Sequence, residues 1–227
     1  MMDLNQVSEH FEKEAPIYDD LILRLIPFYK EQHNIMLGLL PHWPEQTLSA
    51  LDLGCGTGVL SYLLLSNFPN IRVTAYDLAE NMLATCKTNL VGYSDRLTLK
   101  QGNFGTDSFG EGYDVVLSGF AIHHLDNPGK ADLYKRIYRG LNPGGLFLNR
   151  DIVLGATPEI TGQYHRLWRQ FIRSNGEDDE KWFQNYLAED IPASVRDQLD
   201  WLNDAGFVDV GCHWKCLNFA IFGGRKP

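Results

Sequence analysis

Residues 50–58 read Ala-Leu-Asp-Leu-Gly-Cys-Gly-Thr-Gly. They continue a short apolar run from Leu48 in which Asp52 stands near the end, the pattern of a buried strand running into a turn. Gly54, Gly56 and Gly58 fall at alternate positions. Val59-Leu60-Ser61-Tyr62-Leu63-Leu64-Leu65 follows with the composition of a helix packed on a sheet. Glycine lets the backbone take positive φ and approach a ligand closely. Open α/β sheets bind ligands outside the carboxyl ends of their strands, so this turn is the expected binding device.

A second strand, residues 71–76, ends in Asp77. A carboxylate at that distance past the glycines can accept hydrogen bonds from both hydroxyls of a ribose. Residues alone also allow a tight turn followed by a solvated aspartate. The glycine spacing is not the G-x-G-x-x-G of dinucleotide folds, which counts against a nicotinamide-dependent oxidoreductase.

Outward from the turn the chain alternates. Strand 48–53 leads to helix 57–67, strand 71–76 to helix 79–90, then strand 97–101 to the loop Gly102-Asn103-Phe104-Gly105. Strand 113–118 leads through His123-His124 to helix 129–140, and the turn Asn142-Pro143-Gly144-Gly145 launches strand 146–151. Residues 155–192 break the alternation as a helical insertion; helix 194–205 then stops at Gly206. Strands 207–213 and 215–223 close the chain, and their short joint makes them antiparallel neighbours. The expected fold is α/β: a doubly wound, Rossmann-like, seven-stranded, mostly parallel sheet with a C-terminal antiparallel hairpin. Before the sheet, Val7, Phe11 and Ala15 lie at helical spacing. Helices 17–26 and 28–40 follow, the second stopping at Pro41-His42-Trp43-Pro44. The whole chain, 1–227, reads as one domain: a helical lid over 1–44, a core over 45–154, an acceptor cap over 155–193, and a last helix and strands over 194–227.

The 227 residues carry a net charge of −9, and the lysines and arginines are scattered apart from small clusters at 135–139 and 166–173. A nucleic-acid partner is therefore disfavoured. Cys55, Cys86, Cys212 and Cys216 read as reduced thiols of a cytoplasmic protein. No close second pair accompanies them, so no metal site is expected. No apolar run approaches the ~18 residues of a membrane span, and the N-terminus lacks a secretory pattern.

The run Asp-x-Gly-x-Gly-x-Gly with Asp77 resembles motif I of the class I S-adenosylmethionine-dependent methyltransferases. The resemblance implies S-adenosylmethionine as cofactor and S-adenosylhomocysteine as product. It implies Gly54, Cys55 and Gly56 under the methionine moiety, Asp52 toward its ammonium, Asp77 on the ribose and Leu78 against the adenine; a strand-end acid capping nearby amides is the other reading of Asp52. Asn103 and Phe104 stand where members carry Asp and an apolar residue; a turn asparagine is the other reading of Asn103. Gly119 and Phe120 are expected to offer a backbone contact. The phrases Tyr138-Arg139-Gly140-Leu141-Asn142-Pro143-Gly144-Gly145, Asp204-Ala205-Gly206-Phe207 and Cys216-Leu217-Asn218-Phe219 narrow the resemblance to the carboxy-S-adenosylmethionine synthase subgroup, linked to tRNA uridine modification. There Tyr29 matches a tyrosine that touches the cofactor. An arginine holds the extra carboxylate in that subgroup, and the matching residue here is Trp201. Tryptophan cannot neutralise a carboxylate, so ordinary methyl transfer is the expected reaction. A carboxy-S-adenosylmethionine synthase-like enzyme and an idle cofactor-binding partner subunit are the alternatives.

On the acceptor side, His123 and His124 follow strand four, and a histidine can take a proton from a hydroxyl or ammonium nucleophile. Arg150-Asp151 ends strand five, where Asp151 could bind an amine or orient a base; a salt bridge or cap is the plainer reading. Tyr164, Trp168, Arg169 and Trp201 are assigned to the substrate pocket, although an aromatic pair at helical spacing is as readily core. Glu177-Asp178-Asp179-Glu180 reads as a solvated turn. The expected acceptor is a small molecule, and a homodimer is permitted.

Overall fold

The computed structural model describes residues 18–40 and 46–227. The helix expected through Val7, Phe11 and Ala15 and the stop at Pro41–Pro44 lie outside them. In chain order the elements are α1 (Tyr18–Leu25), α2 (Tyr29–Leu39), β1 (Ser49–Leu53), α3 (Val59–Asn67), β2 (Arg72–Asp77) and α4 (Glu80–Asn89). Then follow β3 (Leu97–Gln101), β4 (Tyr113–Gly119), α5 (Asn127–Gly140), β5 (Leu141–Ile152), α6 (Pro158–Ser174) and α7 (Asp179–Glu189). Helix α8 (Val195–Ala205), β6 (Val208–Cys216) and β7 (Phe219–Arg225) complete the chain.

The seven strands lie in the order β3-β2-β1-β4-β5-β7-β6. Pairing is parallel from β3 through β5 and antiparallel at β7 and β6. The order reverses between β1 and β4, which opens a crevice at their carboxyl ends. Side chains alternate across the sheet, and the alternation assigns its helices. Leu51, Leu53, Val116 and Phe147 point to the face covered by α5 and α8. Ala50, Val73, Ala75 and Leu117 point to the face covered by α2, α3 and α4. A third apolar cluster joins α1, α6 and α7 to Phe120, Ile152 and Phe219, and so roofs the carboxyl edge of the sheet. The helices of that roof start on side-chain caps: Thr157 accepts from the Ile160 amide for α6, and Asp178 accepts from the Glu180 and Lys181 amides for α7.

Two differences from the sequence reading change the strand pairing. Strand β5 begins at Leu141, so the expected turn at 142–145 is taken into the strand, with a register shift against β4 between Tyr113 and Val115. The closing hairpin turns at Leu217-Asn218, because Trp214, Lys215 and Cys216 go on pairing with Ile221, Ala220 and Phe219. Leu217 takes a φ of 52° to make that turn.

Gly54 is required by space as well as by conformation. Its φ is 72°, and a Cβ there would lie 2.3 Å from the Ala121 Cβ. Gly54→Ala is expected to cost about 2–4 kcal/mol, adding left-handed strain to overpacking. The check is the shift in urea midpoint; an unchanged midpoint contradicts the packing described.

Candidate active site

The glycine turn is tied to β2 by its backbone. The Gly54 and Cys55 amides both donate to the Tyr76 carbonyl, at 2.8 and 3.0 Å. The Asp77 carboxylate accepts from the Gly56 amide at 2.8 Å through one oxygen and from the Ala79 amide at 2.9 Å through the other. Burial raises the Asp77 carboxyl above its ordinary value, while these amides pull it down. One side chain thus fixes both the turn and the start of α4. Around it opens a cleft of about 840 Å³, mouth included. Tyr29, Asp52, Gly54, Cys55 and Gly56 line its β1 side; Asp77, Leu78, Asn103, Phe104 and Gly119 line the rest. The structure therefore gathers into one cleft all ten residues that the sequence proposed for the cofactor. The Asn103 Oδ1 is already engaged by the Gly105 amide at 2.8 Å, in keeping with a turn asparagine.

At the β1–β4–β5 end of the cleft, two buried side chains of opposite charge are left incompletely bonded. Asp52 uses one oxygen to accept from the Ser61 amide and hydroxyl, at 2.8 and 2.7 Å; its Oδ1 makes no hydrogen bond among the described residues. Arg150 is 2% exposed. It donates to the Tyr29 hydroxyl at 3.1 Å and lies against the Tyr29 and Phe120 rings, 4.5 and 5.0 Å from their centroids. Its Nε and Nη1 have no hydrogen-bond partner among the described residues. Unmade bonds to buried charges are costly, so the pair fits a ligand that carries an ammonium and a carboxylate together. Gly56 supplies the room: its φ is 52°, and nothing lies within 4 Å of a Cβ placed there. These residues fit the amino-acid end of S-adenosylmethionine, with Leu78, Phe104 and Met82 left to receive the adenine at the far side.

A second cavity, of about 690 Å³ with its mouth included, lies beside the cleft, and Phe120 and His124 line both. Phe120 is a non-glycine residue at φ 56°, a strained conformation held at the junction. The walls are apolar and aromatic: Leu21, Ile22 and Leu25 of α1, Trp168 of α6, Trp182 and Tyr186 of α7. One end is polar. His123 hydrogen-bonds through Nδ1 to Asp151, whose other oxygen accepts from the Asn149 amide group at 3.1 Å. The His123 Nε2 and the His124 Nδ1 each lie 3.4 Å from Asp190 Oδ1. Burial works against a charge on His123, but the Asp190 and Asp151 carboxylates together outweigh it and raise the imidazole above its ordinary value. Burial pushes the Asp190 carboxyl up to about 6. Among the described residues, neither lysine nor arginine lines this cavity.

A methyltransferase domain model matches residues 50–145. The carboxy-S-adenosyl-L-methionine synthase of Campylobacter concisus is 28% identical over 223 residues, covering 95% of this chain and 94% of that protein. Together the domain match and this relative support a class I S-adenosylmethionine-dependent methyltransferase. Solved structures agree in fold. The methyltransferase SibL superposes with a TM-score of 0.64 at 20% identity, over 88% of this chain and 56% of that one. An O-methyltransferase family 2 protein of Planctomyces limnophilus, in complex with apigenin, gives 0.67 at 20% identity, over 100% of this chain and 62% of that one. The chain thus spans only about 60% of the length of these solved relatives.

Of the residues assigned to the substrate pocket, the methyltransferase brings Trp168 to the second cavity and leaves three elsewhere. Tyr164 shares a helix face with Trp168 but lies under the Lys215 ammonium of β6, 4.4 Å from its ring centroid. Arg169 points away to Asp179 and Glu180, at 2.6 and 2.5 Å, so the acidic turn is partly a salt-bridge partner. Trp201 packs on the opposite face of the sheet with α8. Residues that the sequence did not single out complete the site. In the sequence Arg150 stands out only as the neighbour of Asp151. Along a strand the two point to opposite sides, Arg150 into the cleft and Asp151 toward His123. Asp190, Trp182 and Tyr186 come from α7 and its end, and no local pattern marked them.

Burial pushes the Asp52 carboxyl up to about 6, against the pull of Ser61 and Arg150. A ligand ammonium pairs only with the ionised form, so affinity is full above pH 6 and is lost as pH falls through it, approaching about tenfold per pH unit. Calorimetric titration with S-adenosylhomocysteine across that range should show this break in the native protein and none in Asp52→Asn. A flat native profile contradicts the assignment.

Proposed function

We propose that the methyltransferase acts on a small, largely apolar molecule whose hydroxyl or amine lies at the polar end of the second cavity. The observation that carries this reading is an apolar cavity beside the cofactor cleft, with Phe120 and His124 lining both. The cofactor supplies an electrophilic methyl group on a sulfonium. What the chain must do is align the nucleophile with that group and keep water out. Trp168, Trp182 and Tyr186 hold the apolar body, and the roof of α1, α6 and α7 excludes solvent. His123, oriented by Asp151, and His124 face the nucleophile and serve its deprotonation. The lack of lysine and arginine among the described residues that line the cavity supports a neutral or cationic acceptor over a phosphate-bearing one. The four free thiols suit an enzyme working in the cytoplasm.

A second reading follows from the full-length relatives, which are named carboxy-S-adenosyl-L-methionine synthases. In that reading the chain makes a carboxylated cofactor, and Arg150 is the cation that lines the cleft. Trp201 does not reach the cleft within one chain, so it neither supports nor replaces that role.

Isotopically labelled S-adenosylmethionine, incubated with the enzyme and fractionated cell extract, distinguishes these readings. Label should enter the small-metabolite fraction as S-adenosylhomocysteine accumulates. Trp182→Leu should lower kcat/KM for that acceptor by about tenfold or more with cofactor binding unchanged. Label in RNA or protein contradicts the proposal, and a cofactor-derived species heavier by a carboxylate supports the second reading.

A further inference from the structure

We propose that His123, His124 and Asp190 form a divalent-cation site, best suited to zinc, at the polar end of the acceptor cavity. The inference rests on reading that cavity as the acceptor site and specifies how the nucleophile is activated there. One nitrogen from each imidazole and one carboxylate oxygen lie within 4.8 Å of one another. His123 Nε2 and His124 Nδ1 each lie 3.4 Å from Asp190 Oδ1. That is beyond ordinary hydrogen-bond length. It is close to the edge, about 3.3 Å, between ligands standing about 2.0 Å from a tetrahedral ion. The Glu189 carbonyl, 3.3 Å from His124 Nδ1, is the competing contact and is equally long.

The surroundings support the same conclusion. His123 Nδ1 is committed to Asp151, and Asp151 to Asn149, the outer arrangement that fixes the tautomer of a metal-binding imidazole and aims its Nε2 outward. Negative charge gathers at this end: Asp151, Asp126 and Asp190 lie within electrostatic reach of Lys130, which is fully buried and bonded to the Leu125 and Ile191 carbonyls. All three ligand residues line the acceptor cavity, so an open coordination position faces the acceptor.

The chemistry this adds is Lewis-acid activation of a hydroxyl. An acceptor oxygen meeting the cation loses its proton to water more readily, and its electron pair then forms the new C–O bond as the C–S bond of the cofactor breaks. The electrons of that bond go to sulfur, leaving a neutral thioether, and one proton is released overall. No oxidant or reductant is needed.

The test uses the full-length protein, stripped with chelator, incubated with zinc and exchanged into metal-free buffer. Elemental analysis should find about one zinc per chain, and cobalt(II) in its place should show the visible absorption of a tetrahedral site. Cys212→Ser should keep the metal, which excludes the exposed thiol. Asp190→Asn should lose it, and Asp151→Asn should weaken zinc binding by about 10–100-fold. S-Adenosylhomocysteine binding, read in parallel, reports that each variant is folded; where a variant fails it, the cobalt spectrum of the native protein decides. Native protein that binds S-adenosylhomocysteine but neither zinc nor cobalt overturns the inference, leaves the proposed methyl transfer standing and returns deprotonation to His123 and His124. Metal retained in a folded Asp190→Asn also overturns it.

Discussion

The Asp77 carboxylate, accepting from the Gly56 and Ala79 amides, is the constraint on which the site depends. It joins the end of β2 to the turn after β1, and the two amides that donate to the Tyr76 carbonyl lock the same turn from the other side. With the turn held, the cleft lies where the strand order reverses between β1 and β4. Three glycines in the left-handed region make the turn, and they differ in what they make room for. A Cβ at Gly54 would meet Ala121 and one at Gly58 would meet the Cys86 sulfur, whereas one at Gly56 would meet nothing. Two of the glycines serve the fold, and the third leaves space for the ligand.

The same alternation that builds the sheet divides the chemistry. Arg150 and Asp151 are consecutive at the end of β5 and point to opposite sides. The arginine reaches the Tyr29 and Phe120 rings above the cofactor cleft; the aspartate reaches His123 at the acceptor cavity. Phe120, strained and shared by both hollows, is the wall between them. A buried cation and a buried carboxylate with unmade bonds on one side, and an apolar chamber with a polar end on the other, suit the two parts of a methyl transfer: a zwitterionic donor and a mainly apolar acceptor.

How much of this is legible in the sequence depends on how local the signal is. The glycine turn, Asp77 and the parallel core are read from short spacings, because a strand, a turn and a helix start are contiguous. The closing hairpin is legible too, although its turn falls at Leu217-Asn218, later than the residues suggest, since β6 pairs up to Cys216. The acceptor cavity is not legible. It is assembled from α1, α6 and α7, remote in sequence, and helical periodicity does not say which neighbour a face meets. Tyr164 and Trp168 share a face, yet one lies against Lys215 and the other against the Leu25 carbonyl at the cavity. Arg169, one step round the helix, is drawn to the acids at the start of α7. Asp190 earns its place only through tertiary contact with His123 and His124.

The central claim is that Asp52 and Arg150 receive the two charges of the donor's amino-acid end. A crystal structure of the complex with S-adenosylhomocysteine tests it most directly. The account predicts the ligand carboxylate within hydrogen-bond distance of the Arg150 Nε or Nη1, the ammonium toward the Asp52 Oδ1, and the adenine between Leu78 and Phe104. A ligand whose carboxylate makes no contact with Arg150, or whose tail runs away from Asp52, would contradict it.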